Sequence, residues 1–314
     1  MAGETVLSAR QLTVRYGDVE AVRGLDLEVP RGQVIGLIGP DGAGKTSSLR
    51  VFGGLLRATS GSVEVLGRAV WEHRRALHHR LGYLAQRFAL YGDLTVDENV
   101  EFFALLLGVK DWRARRDALL GRVALAEFRH RQADRLSGGM RQKLALACSL
   151  MHSPDILLLD EPTTGVDPVT RREFWRLLAD LVAEGLTLVI ATPYLDEAER
   201  CSRVVLMHRG RVLADAPPAE LRGLLPGAIV EVAATPRTAV AAALARIPGV
   251  VDVRPFAARF HVRLASSEGA ADAVREALER AGAEVEEARV VPAGLEDAFL
   301  HLTRSDANAS GEAA

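Results

Sequence analysis

The chain has 314 residues, 48% of them hydrophobic, with 39 lysines and arginines against 41 aspartates and glutamates. This length allows two domains with a sizeable core, and the near-neutral charge gives no electrostatic reason to expect nucleic acid as a partner. The longest apolar runs fall far short of the roughly 20 residues that span a bilayer, so any membrane contact is expected through partner subunits. Two widely spaced cysteines, Cys148 and Cys201, favour a reducing, cytoplasmic compartment.

The beginning of the chain alternates between apolar and polar side chains. Over residues 6–29 this alternation, broken at Gly17 and Gly24, predicts half-exposed antiparallel strands. Tyr16 stands at the end of the first segment. Its ring can pack on the core or stack on a nucleotide base, and the residues alone leave both interpretations open.

A glycine-rich stretch follows the apolar run Val34–Ile38 and precedes a helical pattern. It fits G-x-x-x-x-G-K-[ST] with Gly39, Pro40, Asp41, Gly42, Ala43, Gly44, Lys45 and Thr46, and Ser47 comes next. Glycines let the backbone curl around phosphate oxygens, and the helix N-terminus adds partial positive charge. Lys45 can reach the β- and γ-phosphates, and the Thr46 hydroxyl can coordinate Mg²⁺. Lysine occurs only at positions 45, 110 and 143, which argues against a coincidental glycine turn.

The middle of the chain is helical by pattern. A short strand pattern over residues 81–86 ends on Gln86, and residues 94–151 then carry helical periodicity. Thr95, with Glu98 three residues later, predicts a capped helix start. The segment 136–140 interrupts the helical pattern.

Two carboxylates follow a run of isoleucine and leucine. Asp160 and Glu161 come directly after residues 155–159, which predict a buried parallel strand. Asp160 is suited to hold Mg²⁺, and Glu161 to polarise a water for attack on a γ-phosphate. Simple capping of the strand end is the alternative interpretation. A second buried strand is predicted over residues 186–191.

The composition shifts at Pro217, after which the element order is β-α-β-β-α-β. This order is typical of a ferredoxin-like α+β domain. A further helix carries Leu295, Phe299 and Leu302 on one face. The predicted boundaries are 5–217 for the first domain, 226–304 for the second and 305–314 for a disordered tail.

Residues 136–142 read LSGGMRQ, which closely resembles the signature of ATP-binding cassette (ABC) transporter ATPases. The resemblance covers roughly residues 5–216. It implies an α/β fold, the P-loop NTPase of ABC ATPases, with a mostly parallel core sheet, an antiparallel β subdomain and a helical subdomain over about residues 87–152.

The resemblance also implies roles for individual residues. Ser137, Gly138 and Gly139 are expected to bind the γ-phosphate of ATP held on the opposite subunit of a head-to-tail homodimer. Tyr16 is expected to stack on adenine, and Gln86 to sense Mg²⁺ and the attacking water. The predicted catalytic residues are Glu161, Gln86 and Lys45, the predicted metal site is Thr46, Gln86 and Asp160, and ATP contacts the loop 39–46, Ser47, Tyr16 and residues 137–139.

The chain departs from the family after the strand at 186–191. The family has a histidine there, in a T-H-Y type of context, whereas this chain has Thr192, Pro193 and Tyr194. Hydrolysis is therefore expected to be slow unless a neighbouring hydroxyl substitutes. Tyr194 is the favoured substitute because of its reach, and packing of its ring is the alternative.

The end of the chain, around residues 295–300, resembles the appended domain of single-cassette exporters of the drug-resistance type. The resemblance implies the ATPase subunit of a membrane exporter that works with separate transmembrane permease subunits. Its expected location is cytoplasmic, peripheral on the inner face of the cell membrane. The alternatives are a soluble ABC-superfamily ATPase and a nucleotide-dependent regulator with low turnover.

Overall fold

The structure, a computed structural model, describes residues 3–86 and 90–310. It divides into two compact units, Met1–Pro217 and Pro218–Ala314. No helix in the described part of the chain is long and apolar enough to cross a membrane.

The first unit contains two sheets. Its strands are β1 (Thr5–Tyr16), β2 (Val19–Pro30), β3 (Val34–Ile38), β4 (Ser60–Val65), β5 (Arg68–Ala69), β6 (Leu81–Leu84), β7 (Ile156–Asp160), β8 (Thr187–Thr192), β9 (Arg203–His208) and β10 (Arg211–Ala216). One sheet is antiparallel in the order β2-β1-β4-β5. The other has the order β10-β9-β3-β8-β7-β6, in which all neighbours are parallel except β10 and β9. This is the predicted P-loop arrangement of a mostly parallel sheet with an antiparallel subdomain.

The helices of the first unit lie between these strands in sequence. They are α1 (Lys45–Phe52), α2 (Val70–Leu77), α3 (Val96–Leu106), α4 (Trp112–Arg122), α5 (Gly138–Ser149), α6 (Pro168–Ala183) and α7 (Leu195–Ala198). Helices α3, α4 and α5 pack on one another and form the helical part of the unit. Helix α3 begins with a complete capping box, in which Thr95 and Glu98 each accept a hydrogen bond from the other's backbone N–H.

The central strands bring the predicted chemistry to one edge. Strands β3, β7 and β8 are buried over their whole length, which explains their unbroken apolar sequences. The glycine-rich loop leaves the carboxyl end of β3, and Asp160 and Glu161 lie at the carboxyl end of β7, with β8 between the two strands. Parallel strands end at the same edge of a sheet, so the loop and the carboxylates meet there.

The second unit has the predicted β-α-β-β-α-β order, flanked by a helix on each side. Its elements are α8 (Pro218–Gly223), β11 (Ala228–Thr235), α9 (Arg237–Leu244), β12 (Val250–Phe256), β13 (Arg259–Leu264), α10 (Ala270–Arg280), β14 (Glu284–Val291) and α11 (Leu295–Ser310). The sheet is antiparallel in the order β12-β13-β11-β14. Val230, Val232 and Val262 of the sheet share a core with Leu244 of α9 and Val274 of α10.

The predicted disordered tail is wrong over residues 305–310, because α11 continues to Ser310. The sequence from Leu295 to Ser310 contains no glycine or proline, so nothing in it ends the helix earlier. Residues 311–314 of the predicted tail lie outside the described part of the chain. The second unit also begins at Pro218 rather than at the predicted 226, since α8 belongs to it.

Candidate active site

The glycine-rich loop forms an anion site at the start of α1. Gly44 has a φ of 101°, and a Cβ at this position would lie 2.4 Å from the carbonyl oxygen of Ala21. Only glycine therefore fits where the loop turns into the helix. The first N–H groups of a helix have no partner within it, and they carry partial positive charge. Those of α1, which begins at Lys45, are aimed at the loop.

Lys45 is buried at the base of this loop, with 4% of its side-chain surface exposed. Its Nζ donates hydrogen bonds to the carbonyl oxygens of Gly39 at 2.8 Å and Pro40 at 3.0 Å. The same nitrogen lies 3.9 Å from Oε1 of Glu161. Burial lowers the pKa of the Lys45 ammonium, while the Glu161, Asp41 and Asp160 carboxylates act in the opposite direction. The loop thus encloses a cationic side chain as well as backbone donors.

Asp160 connects the carboxyl end of β7 to the start of α1. The Thr46 hydroxyl donates to its Oδ1 at 2.8 Å, and the Tyr83 hydroxyl donates to its Oδ2 at 3.1 Å. The carboxylate is 2% exposed. Hydroxyl and carboxylate oxygens are ligands that Mg²⁺ prefers, so this pair fits the metal that the sequence implies.

Glu161 is held in one orientation next to this pair. Its Oε2 accepts hydrogen bonds from Gln86 Nε2 at 2.9 Å and from the Thr164 hydroxyl at 3.2 Å. Its backbone has a φ of 48°, in the left-handed region, and its N–H donates to the Ala191 carbonyl of β8 at 2.8 Å. The structure therefore brings Gln86, Lys45 and Glu161 together around one space.

That space is an open cavity of about 360 Å³. It is lined by Ala21, Asp41, Gly42, Ala43, Gly44, Lys45, Thr46, Ser47, Gln86 and Glu161. Gly39 and Pro40 do not line the cavity, and their carbonyl oxygens hold the Lys45 ammonium. Tyr16 is 46% exposed, and its hydroxyl lies 3.3 Å from Ser47 Oγ, so its ring stands beside the loop with a face open to solvent.

The predicted signature residues form a second, separate site. Ser137 caps the N-terminus of α5 and accepts a hydrogen bond from the Met140 N–H at 3.2 Å. Ser137 and Gly138 are exposed. A Cβ at Gly139 would lie 2.3 Å from Cγ2 of Thr170, so glycine allows α5 to approach the start of α6. None of residues 137–139 lines the cavity of the same chain.

Pro193 and its neighbours lie outside the residues that line the cavity. The Tyr194 N–H donates to the Thr192 hydroxyl at 3.1 Å, which engages both groups in the turn. The Tyr194 ring packs against the guanidinium of Arg171, 4.6 Å from the ring centroid. This arrangement supports the packing alternative for Tyr194 rather than the expected substitution for histidine.

Sequence reasoning missed one residue in contact with the site, Tyr83, and one buried carboxylate of the same unit, Glu197. The sequence pattern indicates only that Tyr83 belongs to a strand, although its position three residues before Gln86 is a usable signal. Burial raises the pKa of its hydroxyl, and Asp160 acts in the same direction, so the hydroxyl keeps its proton at neutral pH. Glu197 of α7 is fully buried and accepts hydrogen bonds from the Thr163 hydroxyl and, at 3.3 Å, from Trp175 Nε1.

The fold and this cavity define a P-loop nucleotide-binding protein. A model of the ABC transporter family matches residues 22–164. The "Daunorubicin resistance ATP-binding protein DrrA3" of Streptomyces coeruleorubidus is 39% identical over 311 residues, which cover 96% of this chain and 97% of that protein. The "Probable multidrug ABC transporter ATP-binding protein YbhF" of Escherichia coli K12 is 44% identical over 224 residues. That alignment covers 70% of this chain but only 38% of the relative.

Solved structures agree with these relatives. The structure of cbiO1 from Clostridium perfringens, described as part of the ABC transporter complex cbiONQ, has a TM-score of 0.65 at 26% identity and covers 78% of this chain and 96% of that one. A dimeric post-hydrolysis structure of the ATP-binding cassette MJ0796, bound to ADP and Pi, has a TM-score of 0.62 at 26% identity, covering 67% and 98%. The chain belongs to the ABC transporter family of ATP-binding proteins, and it is an ATPase.

Proposed function

We propose that this ATPase drives export across a membrane as a homodimer bound to separate transmembrane subunits. The observation that carries the proposal is the separation of two anion sites in one chain. Lys45 and Glu161 line the cavity, whereas Ser137 caps a helix that does not border it. Each chain then supplies half of two composite sites, so ATP binding favours a head-to-tail pair.

Within one site, each residue has a role that follows from its contacts. The α1 N-terminus and Lys45 bind the phosphates, and Thr46 with Asp160 holds Mg²⁺. When bound, Mg²⁺ neutralises the negative charge on the phosphate oxygens. Glu161 orients the attacking water and accepts its proton, and Gln86 fixes the Glu161 carboxylate through the 2.9 Å hydrogen bond.

The first unit also offers an apolar groove to a membrane subunit. The groove has a volume of about 250 Å³ and lies between β6 and the helical part of the unit. Its lining includes Leu55, Leu81, Tyr83, Leu84, Leu90, Phe103, Leu106, Leu107 and Ala145. Leu55 is 61% exposed and Leu106 is 64% exposed. Neighbouring exposed leucines that line one groove are typical of a protein interaction site. We assign the groove to a short apolar helix from a cytoplasmic loop of the permease, and from this assignment we infer that the protein acts on the inner face of the membrane.

The proposal also covers the class of molecule that is transported. Relatives carry the names "Daunorubicin resistance ATP-binding protein" and "Nod factor export ATP-binding protein I". These names favour export of an amphiphilic small molecule over import. A second candidate, a regulator with low turnover, is favoured by one observation, the proline at position 193.

Glu161→Gln tests the composite site. The amide cannot accept a proton from water, so hydrolysis should slow while nucleotide binding is retained, and a stable dimer should appear on size exclusion with ATP and Mg²⁺. Lys45→Ala should remain monomeric under the same conditions. Glu127→Gln is a matched control, since Glu127 is exposed and is not among the residues that line the cavity. A Glu161→Gln protein that stays monomeric at saturating ATP and Mg²⁺ contradicts the proposal.

A further inference from the structure

The Asp160 carboxylate is fixed from two sides. The Thr46 hydroxyl occupies Oδ1 and the Tyr83 hydroxyl occupies Oδ2, at 2.8 and 3.1 Å. These donors come from different elements, since Thr46 belongs to α1 and Tyr83 to β6, the strand that pairs with β7. The two hydrogen bonds therefore set the rotation of the carboxylate within the site.

We propose that Tyr83 is a positioning residue for the metal site, which it serves by holding Asp160 in the orientation that presents Oδ1 beside Thr46. The inference rests on the proposed Mg²⁺-dependent ATPase function. Tyrosine suits this role because it is a neutral donor. It occupies one carboxylate oxygen and leaves the negative charge of Asp160 to the cation. An arginine or lysine at the same place would neutralise that charge.

The rest of the Tyr83 side chain serves packing and can be kept while the hydroxyl is removed. Its ring packs against the core that contains Leu158 and lines the apolar groove. A Cβ placed on Gly53 would lie 3.4 Å from its Cδ2, so the ring is closely surrounded. Tyr83→Phe therefore removes the hydroxyl, with its hydrogen bond to Asp160 and its interaction with Arg50, and preserves the ring.

The experiment compares affinity for a fluorescent ATP analogue with Mg²⁺ and with EDTA in wild type, Tyr83→Phe, Tyr91→Phe and Lys45→Ala. Partners that orient metal ligands typically contribute tenfold or more to metal affinity. Tyr83→Phe should match wild type in EDTA and bind about tenfold more weakly in Mg²⁺. Tyr91→Phe is the matched control, because it makes the same chemical change on a 46% exposed ring outside the cavity lining.

Three outcomes overturn the inference. Tyr83→Phe can bind the analogue like wild type in both conditions. Its affinity can also fall equally in both conditions, which would mark a purely structural role for Tyr83. Wild type can also bind the analogue equally well with and without Mg²⁺. Absence of binding by wild type in both conditions would instead refute the proposed function itself, and the signal of Lys45→Ala defines what counts as no binding. Thermal melting followed by circular dichroism verifies that the Tyr83→Phe protein is folded.

Discussion

At the scale of single residues, Pro193 stands where the resemblance to the family leads us to expect a histidine. Proline has neither a polar side chain nor a backbone N–H, so it can donate nothing toward a phosphate. Neither neighbour lines the cavity; the Thr192 hydroxyl accepts from the Tyr194 N–H, and the Tyr194 ring packs on Arg171. Loss of one preorganised donor typically costs about 10²–10³ in turnover.

Pro193→His should therefore raise the steady-state rate of ATP hydrolysis, by up to about 10²-fold if the new imidazole reaches the site of reaction. Tyr194→Phe should hydrolyse ATP at the wild-type rate, since its ring rather than its hydroxyl makes the contact with Arg171. Pro226→His, a histidine at an exposed proline of the second unit, controls for the added side chain. A folded Pro193→His protein that is no faster than wild type would show that another step limits turnover.

At the scale of elements, the strands and helices that carry the site were predictable, and several of the contacts between them were not. Unbroken apolar runs marked β3, β7 and β8 because these strands are buried on both faces. The loop and the two carboxylates stood out because phosphate binding needs particular residue types at a fixed spacing. The hydrogen bond from Tyr83 to Asp160 joins residues 77 positions apart, and periodicity carries no information about such a pair.

The end of the chain shows a different limit of prediction from sequence. The small, polar residues from Ser305 onward suggested a tail, yet α11 continues to Ser310. Helix propensity is a weak guide where residues are small and polar, because the neighbouring helical turns decide whether they extend the helix.

The apolar groove beside α3 leads to a prediction about docking of the permease subunits. Leu106 lines the groove, whereas its neighbour Leu105 is equally exposed, at 64%, and does not line it. Leu106→Asp should place a charge where an apolar helix docks and reduce co-purification with the permease subunits. Leu105→Asp should leave co-purification unchanged, and both variants should keep ATP-dependent dimerisation. Equal loss in both variants would exclude the groove as the specific docking site.

At the scale of the whole molecule, the two units have separate hydrophobic cores. The core around the antiparallel sheet and α1 draws on residues from Val6 to Met207, and that of the second unit on residues from Ala228 to Ala283. Among the described residues, each of these two clusters contains apolar side chains of one unit only. Each unit is thus expected to fold by itself.

A chain that ends at Pro217 should therefore keep wild-type affinity for ATP, because each residue that lines the cavity lies within the first unit. We expect it to lose dimer stability or transport, because we assign the second unit to contacts between subunits. Nucleotide titration and size exclusion measure the two properties separately. Loss of ATP binding in a truncated chain that is folded by circular dichroism would refute the independence of the units.

The backbone conformation of Glu161 lowers the stability of the fold, whereas its side chain is needed for turnover. A φ of 48° costs a glutamate about 1 kcal/mol or more relative to an ordinary conformation, whereas asparagine and glycine adopt it more readily. Neither replacement carries the carboxylate that activates water. A population selected only for heat resistance would consequently drift toward asparagine or glycine at position 161 and lose hydrolysis.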